Sequence, residues 1–151
     1  MMTVTEAEVT RWLDDYYGAW RAADSEAASQ LFTDDAAYVE TPFEKPWPEG
    51  KRMRGRRQIA DYWHWVTVEL SRFLDGDYDL WAVKGDQAFA RWWADAELRE
   101  AGYWVEAEGV LKLTFVDRVD GRLLCRELLE WNAAITETEH HYEPYVLRRA
   151  R

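Results

Sequence analysis

Cysteine is nearly missing from this chain: Cys125 stands alone, so no disulfide can form within it, and the composition suits a reducing compartment. Long apolar runs are missing too, and none approaches the roughly 20 residues that a membrane-spanning helix needs. The opening MMTVTEAEVTRW has neither the basic region nor the apolar stretch of a secretory signal. A cytoplasmic location with no membrane partner is therefore the expectation. Basic charge is scarce: 19 Lys and Arg against 29 Asp and Glu leave a net charge of −10. Binding to a phosphate backbone needs clustered cations, so nucleic acid is not an expected partner. The one basic cluster, KRMRGRR from Lys51 to Arg57, reads as a solvated loop and helix start, with an anion site at that helix N-terminus as the alternative. Glycine-rich phosphate loops and GxSxG elbows are absent. His140 and His141 lie beside Glu139 and Glu143, but adjacent histidines point in divergent directions. No metal and no cofactor is expected.

What the chain does have is aromatic bulk, ten Trp and eight Tyr, in a length that makes one domain. Much of it belongs in a core, and that much aromatic surface also suits a pocket for a small apolar or aromatic ligand. Thr5 and Glu8 form a capping-box pattern, and Val9, Trp12, Leu13, Tyr16, Trp20 and Ala23 recur at helical spacing, which predicts a first helix to about Ala23. A short second helix from Asp24 or Ser25 reaches Phe32. A strand from Ala36 to Phe43 ends at Pro42 and the following loop. A third helix, roughly Arg57 to Phe73, buries Ile59, Tyr62, Trp63, Val66 and Leu70. Strands follow over Asp77–Val83, Gln87–Glu97, Tyr103–Val116 and Leu123–Ala133, with turns at KGD and DRVDGR. Helices first and antiparallel strands after make an α+β order, with three N-terminal helices packed on a strongly curved sheet that forms a cone. Residues 1–134 read as one domain and 135–151 as a C-terminal extension.

The most unusual stretch is QAFARWWADAE, Gln87 to Glu97. Strand alternation puts Phe89, Arg91, Trp93 and Asp95 on one side and Ala88, Ala90, Trp92, Ala94 and Ala96 on the other. Either the charged side meets solvent or it lines a cavity, and the expectation is the cavity. Arg91 and Asp95 sit four residues apart, so burial requires partners for both. A structural ion network, taking in Arg126 and Glu130 of the last strand, is the alternative to a ligand-facing pair. Trp92 would then stand on the outer face among alanines, which predicts a homodimer through that face. Cys125 reads as an inert strand residue.

The order helix, short helix, strand, helix and four strands, with YYGAWRAADSEAASQLFTDDAAYVETP from Tyr16 to Pro42, GRRQIADYW from Gly55 to Trp63, and the late pair EGVLKLTF and DGRLLCRELLEW, resembles the nuclear transport factor 2-like superfamily in its SnoaL-like and ketosteroid isomerase-like branch. The resemblance implies a cone-shaped α+β barrel whose concave face holds a mostly apolar pocket. It implies that Tyr16 donates a hydrogen bond to a substrate oxygen, and that Phe89, Arg91, Trp93 and Asp95 face the pocket. It also implies that Trp20, Trp63, Leu111, Leu113, Arg126, Leu128 and Glu130 line the pocket. The isomerases' catalytic aspartate precedes a proline on the first strand, where this chain reads Glu40-Thr41-Pro42. Aligned on the proline that position is Thr41, and aligned on Phe32 it is Glu40. Alternation turns Glu40 away from Val39 to the solvent side, unless a bulge from the extra residue reverses it. The isomerases' second acid corresponds to Leu111, so that donor is missing there.

These readings give a cofactor-independent acid and base enzyme, an isomerase, cyclase or hydrolase, acting on a small, largely apolar carbonyl or epoxide compound. Asp95 or Glu40 serves as base, and Tyr16 with Arg91 holds the oxyanion. A non-catalytic ligand-binding or dimerising module of the same fold is the alternative.

Overall fold

The computed structural model describes residues 2–41, 52–100 and 104–138. The loop after Thr41, Lys51, Tyr103 and the histidine-bearing end with Glu139, His140, His141 and Glu143 lie outside the described residues. Helix α1 spans Glu6–Arg21, and the capping box is formed: Thr5 Oγ1 accepts from the Glu8 amide, and the Glu8 carboxylate accepts from the Thr5 amide. Its apolar face, Val9, Trp12, Leu13, Tyr16 and Tyr17, is buried. Helix α2, Ser25–Ser29, is capped by Asp24. Strand β1, Phe32–Thr41, is followed by a three-residue strand β2, Arg52–Arg54, whose Met53 is buried between two exposed arginines. Helix α3, Gly55–His64, buries Ile59, Ala60, Tyr62 and Trp63.

The third helix does not run to Phe73. It widens into a π-helical turn over Trp65–Leu70, and β3 begins at Ser71. Thr67 Oγ1 donates back to the Trp63 carbonyl at 2.7 Å, and the β-branched run Val66, Thr67, Val68 is a poor continuation of an α-helix. Strands β3, Ser71–Lys84, β4, Gln87–Leu98, β5, Trp104–Val119, and β6, Arg122–Thr138, complete the chain. The last of these continues past position 134.

All six strands form one sheet in the order β2-β1-β6-β5-β4-β3. Among the described residues only β1 and β6 run parallel. Three helices against this curved, mainly antiparallel, open sheet make the α+β cone that the element order implies. Curvature is built in at bulges, and one of them, between Glu108 and Gly109, depends on the absence of a side chain. A Cβ on Gly109 would lie 2.0 Å from the Trp131 carbonyl oxygen and 2.8 Å from the Trp92 indole nitrogen. Gly109→Ala is therefore expected to cost about 3 kcal/mol, near the upper end of ordinary overpacking, as read from urea unfolding. A loss within experimental error would show that β5 and β6 can separate there freely.

The core sits between helices and sheet. Trp12, Leu13, Tyr17, Phe32, Ile59, Leu113, Phe115 and Leu128 are all essentially inaccessible. The Trp12 indole N–H donates to the Leu31 carbonyl at 3.0 Å, which lets a large polar-edged ring be buried without an orphan donor. No helix among the described residues is long and apolar enough to cross a membrane.

Candidate functional site

The helix-facing side of the sheet carries two carboxylates, and they are neighbours. Register along β1 shifts between Phe32 and Ala37, and after the shift Tyr38 and Glu40 turn inward, 1% and 2% exposed. Glu40 thus faces the core and not solvent: Tyr38, not Val39, is the inward neighbour, and plain alternation from Ala36 through Tyr38 carries Glu40 inside with no reversal by a bulge. Strand β6 lies beside β1 with Tyr38 opposite Leu128 and Glu40 opposite Glu130. Glu130 is 8% exposed. Its partner on the other side is Leu111, and the row continues through Ala90 to Leu80. The position where the isomerase pattern has an acid is leucine here, but the adjoining strand supplies a carboxyl in the next place along the same row.

Helices α1 and α3 close over this row, and three phenols meet there. The Tyr62 hydroxyl donates to Glu40. Tyr38 donates to Glu130 Oε1 at 3.3 Å, and the Tyr16 and Tyr38 hydroxyl oxygens are 3.1 Å apart. Rings fill the space around them: Trp12 stacks on Tyr16 with centroids 5.3 Å apart, Trp63 meets Tyr16 edge-on at 5.2 Å, and Tyr38 and Tyr62 lie 5.5 Å apart. Burial, and after it the charge of Glu130, holds both Tyr16 and Tyr38 well above the usual tyrosine range, so both stay protonated. The result is a dry constellation of two proton acceptors and three hydroxyl donors on rigid elements.

Strand β4 has the alternation expected of it, with the sides exchanged. Ala88, Ala90, Trp92 and Ala94 face the helices and are buried, and Trp20 meets Trp92 with centroids 6.2 Å apart. Phe89, Arg91 and Trp93 are on the outer side, half-buried, and do not line the cone. The physical reason is volume: α1 and α3 fill the concavity with tryptophan and tyrosine, so the strand opposite them offers alanine. Arg91 is engaged outside by Glu108 of β5 and by Asp79 of β3 at 3.6 Å. That is an ion network, with partners other than Asp95, Arg126 or Glu130. Asp95 is 1% exposed, but its register neighbours are Asp75 and Glu106, and alternation places it with Arg91, away from Glu40. Arg126 is exposed, not inward: the register shifts between Thr114 and Phe115, which puts Cys125 inside in its place.

Of the other lining positions, Tyr16, Trp63, Leu111, Leu113, Leu128 and Glu130 are buried on the inner side, and Trp20 packs against them half-buried. Tyr38 and Tyr62 are the functional candidates that pattern reading passes over. Tyr38 stands two residues before Glu40 and so shares its side, which is the signal that finds it. Burial raises the Cys125 thiol far above its ordinary range, leaving it unreactive. Among the described residues no cluster of His, Cys, Asp and Glu is suited to hold a metal ion. The basic stretch is used structurally: Arg56 donates to the Phe32 carbonyl at 2.8 Å and pairs with Asp34 at 2.7 Å.

Comparison with known proteins gives a consistent fold. The profile described as a SnoaL-like domain matches residues 13–124. Among curated proteins none matches the chain. A hexachlorocyclohexane dehydrochlorinase of type 2 is similar with a TM-score of 0.71 at 15% identity, over 93% of this chain and 94% of that one. A ketosteroid isomerase-like protein from Erwinia carotovora atroseptica is similar with a TM-score of 0.62 at 17% identity, over 85% and 95%. A computationally designed 17-OHP binder reaches 0.68 at 18% identity, over 87% and 97%. At these identities the likeness is one of fold.

Proposed function

Because this chain belongs to the SnoaL-like domain family, we propose that it is an acid and base enzyme acting without a cofactor on a small, largely apolar carbonyl or epoxide compound. The observation that carries this reading is the side-by-side placement of Glu40 and Glu130 on the helix-facing side of the sheet, each engaged by a tyrosine hydroxyl. Glu40 is the base: it takes a proton from carbon, or from water when the reaction is hydrolytic. Tyr16 holds the oxygen on which negative charge develops, while Tyr38 and Tyr62 give their own protons to Glu130 and Glu40. In a dry, aromatic surround those hydrogen bonds act at low effective dielectric. Asp95 and Arg91, on the far side of the sheet, have no part in it.

A panel of simple carbonyl compounds suffices for the test. Cyclic ketones and enones are incubated with the full chain in deuterium oxide, and exchange of the protons next to the carbonyl is followed by NMR. Catalysed exchange in the parent, lost on Glu40→Gln, supports the assignment. Absence of exchange, together with tight retention of an apolar carbonyl compound, favours the alternative of a binding module. Dense ring packing around Glu40 is the observation on its side.

The outer sheet face bears on assembly. Trp92 is inside at 6% exposure, so it gives no reason for a dimer, but Trp131 at 39% shares a row with Val110, Arg91 and Asp79, and Trp81 is 58% exposed at the β3 bulge. We propose a second copy as the occupant, because the face mixes exposed tryptophan with both signs of charge, the composition that lets one patch meet its own copy across a two-fold axis. Sedimentation at micromolar concentration is expected to give twice the chain mass of 17.9 kDa, and Trp131→Arg to return it to a single mass. A single mass for the parent overturns this.

A further inference from the structure

Three oxygens lie in line from helix to sheet: Tyr16 Oη, Tyr38 Oη at 3.1 Å, and Glu130 Oε1 a further 3.3 Å on. Among the described residues the Tyr16 hydroxyl has no hydrogen-bond partner other than Tyr38. One lone pair of its oxygen is therefore unused, and it is the end of the line that a bound molecule would meet. Each hydroxyl carries one proton, so the direction in which the line donates depends on the far end. With Glu130 ionised, Tyr38 donates to the carboxylate and Tyr16 donates to Tyr38, and the outer side of Tyr16 is an acceptor. With Glu130 protonated every bond reverses, and the Tyr16 O–H points outward.

We propose that Tyr38 and Glu130 form a proton line that sets whether Tyr16 donates to or accepts from a bound molecule. This rests on the acid and base reading above and gives Glu130 and Tyr38 their part in it as positioning residues. Conversion between the states balances without a free ion. A proton given to the outer lone pair of Tyr16 bonds there; the hydrogen Tyr16 held passes to Tyr38, and the one Tyr38 held passes to the Glu130 carboxylate. The donor's own bond to hydrogen breaks with the two O–H bonds, three O–H bonds form, the donor is left as its conjugate base, and the negative charge at Glu130 is neutralised by the proton that entered. The return path restores a carboxylate ready for the next cycle. Glu130 is faced by Glu40 and Tyr38 from β1, by Tyr16 and Tyr17 from α1, and by the leucine row of β5; Tyr62 of α3 acts on Glu40. The proximity of Glu40 ties the two carboxyls together, so a proton taken up at one weakens the hold of the other on a second.

Infrared difference spectroscopy on the full chain with ring-labelled tyrosine reads this without any substrate. Its failure therefore leaves the enzyme reading intact, and failure of that reading leaves the line measurable. The tyrosine C–O stretch distinguishes a donating from an accepting hydroxyl; Tyr16→Phe assigns the Tyr16 band and Glu130→Gln assigns the Glu130 carboxyl band. The expected result is that both bands shift with the same midpoint as pH is varied. In Tyr38→Phe, which keeps the ring and its packing, the carboxyl still titrates and the Tyr16 band stays still. Circular dichroism verifies that each variant is folded. The proposal is overturned if the Tyr16 band follows the carboxyl in Tyr38→Phe, if it is stationary in the parent while the carboxyl titrates, or if the carboxyl does not titrate anywhere in the folded pH range.

Discussion

Glu40→Gln is expected to lower catalysed proton exchange by about 1000-fold and to leave the fold in place, the size of effect that a positioned general base contributes. Glutamine has the volume of glutamate and still accepts the Tyr62 hydroxyl through its amide oxygen, so the rings packed around Tyr62, Tyr38 and Trp63 keep their positions. What it lacks is basicity. The variant therefore separates chemistry from packing more cleanly than alanine, which would leave a cavity beside a buried hydroxyl. Asp79→Asn, on the outer side of the sheet, is the control and keeps the parent rate. Exchange rates from NMR line intensities decide the matter: a Glu40→Gln protein within a few-fold of the parent places the base elsewhere.

Stability collapses above pH 10, and steeply. Tyr16, Tyr17 and Tyr38 are buried, and burial is the first cause holding each above the ordinary value of 10.0. Cys125 behaves likewise from its ordinary value of 9.0. Below those values both folded and unfolded chains keep these protons, and the stabilisation is fully present. As pH rises past them the unfolded chain releases protons that the folded chain retains, so unfolding gains about 1.4 kcal/mol per pH unit for each such group. One thiol acts alone from about pH 9. From about pH 10 the thiol and three phenols act together, and the slope reaches about 5.5 kcal/mol per unit, enough to remove an ordinary domain's stability within two units. Tyr78 adds in the same direction. Urea midpoints measured from pH 8 upward should show the break, and Tyr38→Phe should lower the upper slope by one group's share. A flat profile to pH 11 would mean that these hydroxyls ionise freely while folded.

Local patterns are legible in the sequence and long-range choices are not. The Thr5 and Glu8 capping box, the buried face of α1 and the alternation of β4 each depend on a few neighbouring residues, and each is present in the fold. Alternation, however, is symmetric between two sides, and nothing inside QAFARWWADAE says which side meets the helices. That is settled by Trp20 and Trp63, far away in sequence, whose rings meet each other and Trp92 and sit over a strand side otherwise made of alanine. Glu40 and Arg126 escape for two other reasons: on β1 the side holding Ala36, Tyr38 and Glu40 faces the core instead of the side holding Val39, and on β6 Arg126 is the extra residue between Cys125 and Glu127, which turns it outward. Strand β2 escapes pattern reading because three residues, two of them arginine, carry too little pattern. Tyr38, Tyr62 and Glu130 come together from β1, α3 and β6, a meeting that only the folded chain displays.

The single parallel pairing in the sheet has a consequence for how the molecule comes into being. Tyr38 waits for Leu128, about 90 positions later, before β1 gains its inner neighbour. A nascent chain that has reached only the turn before β6 has the residues of α1, α3 and the β3-β4-β5 meander, yet β1 can have only the short β2 beside it and β5 an open edge. Such an intermediate offers two unpaired strand edges to other chains, and aggregation during synthesis competes with completion. Arrival of β6 fills both edges in one step, and the same step brings Glu130 beside Glu40, so the candidate site is assembled last.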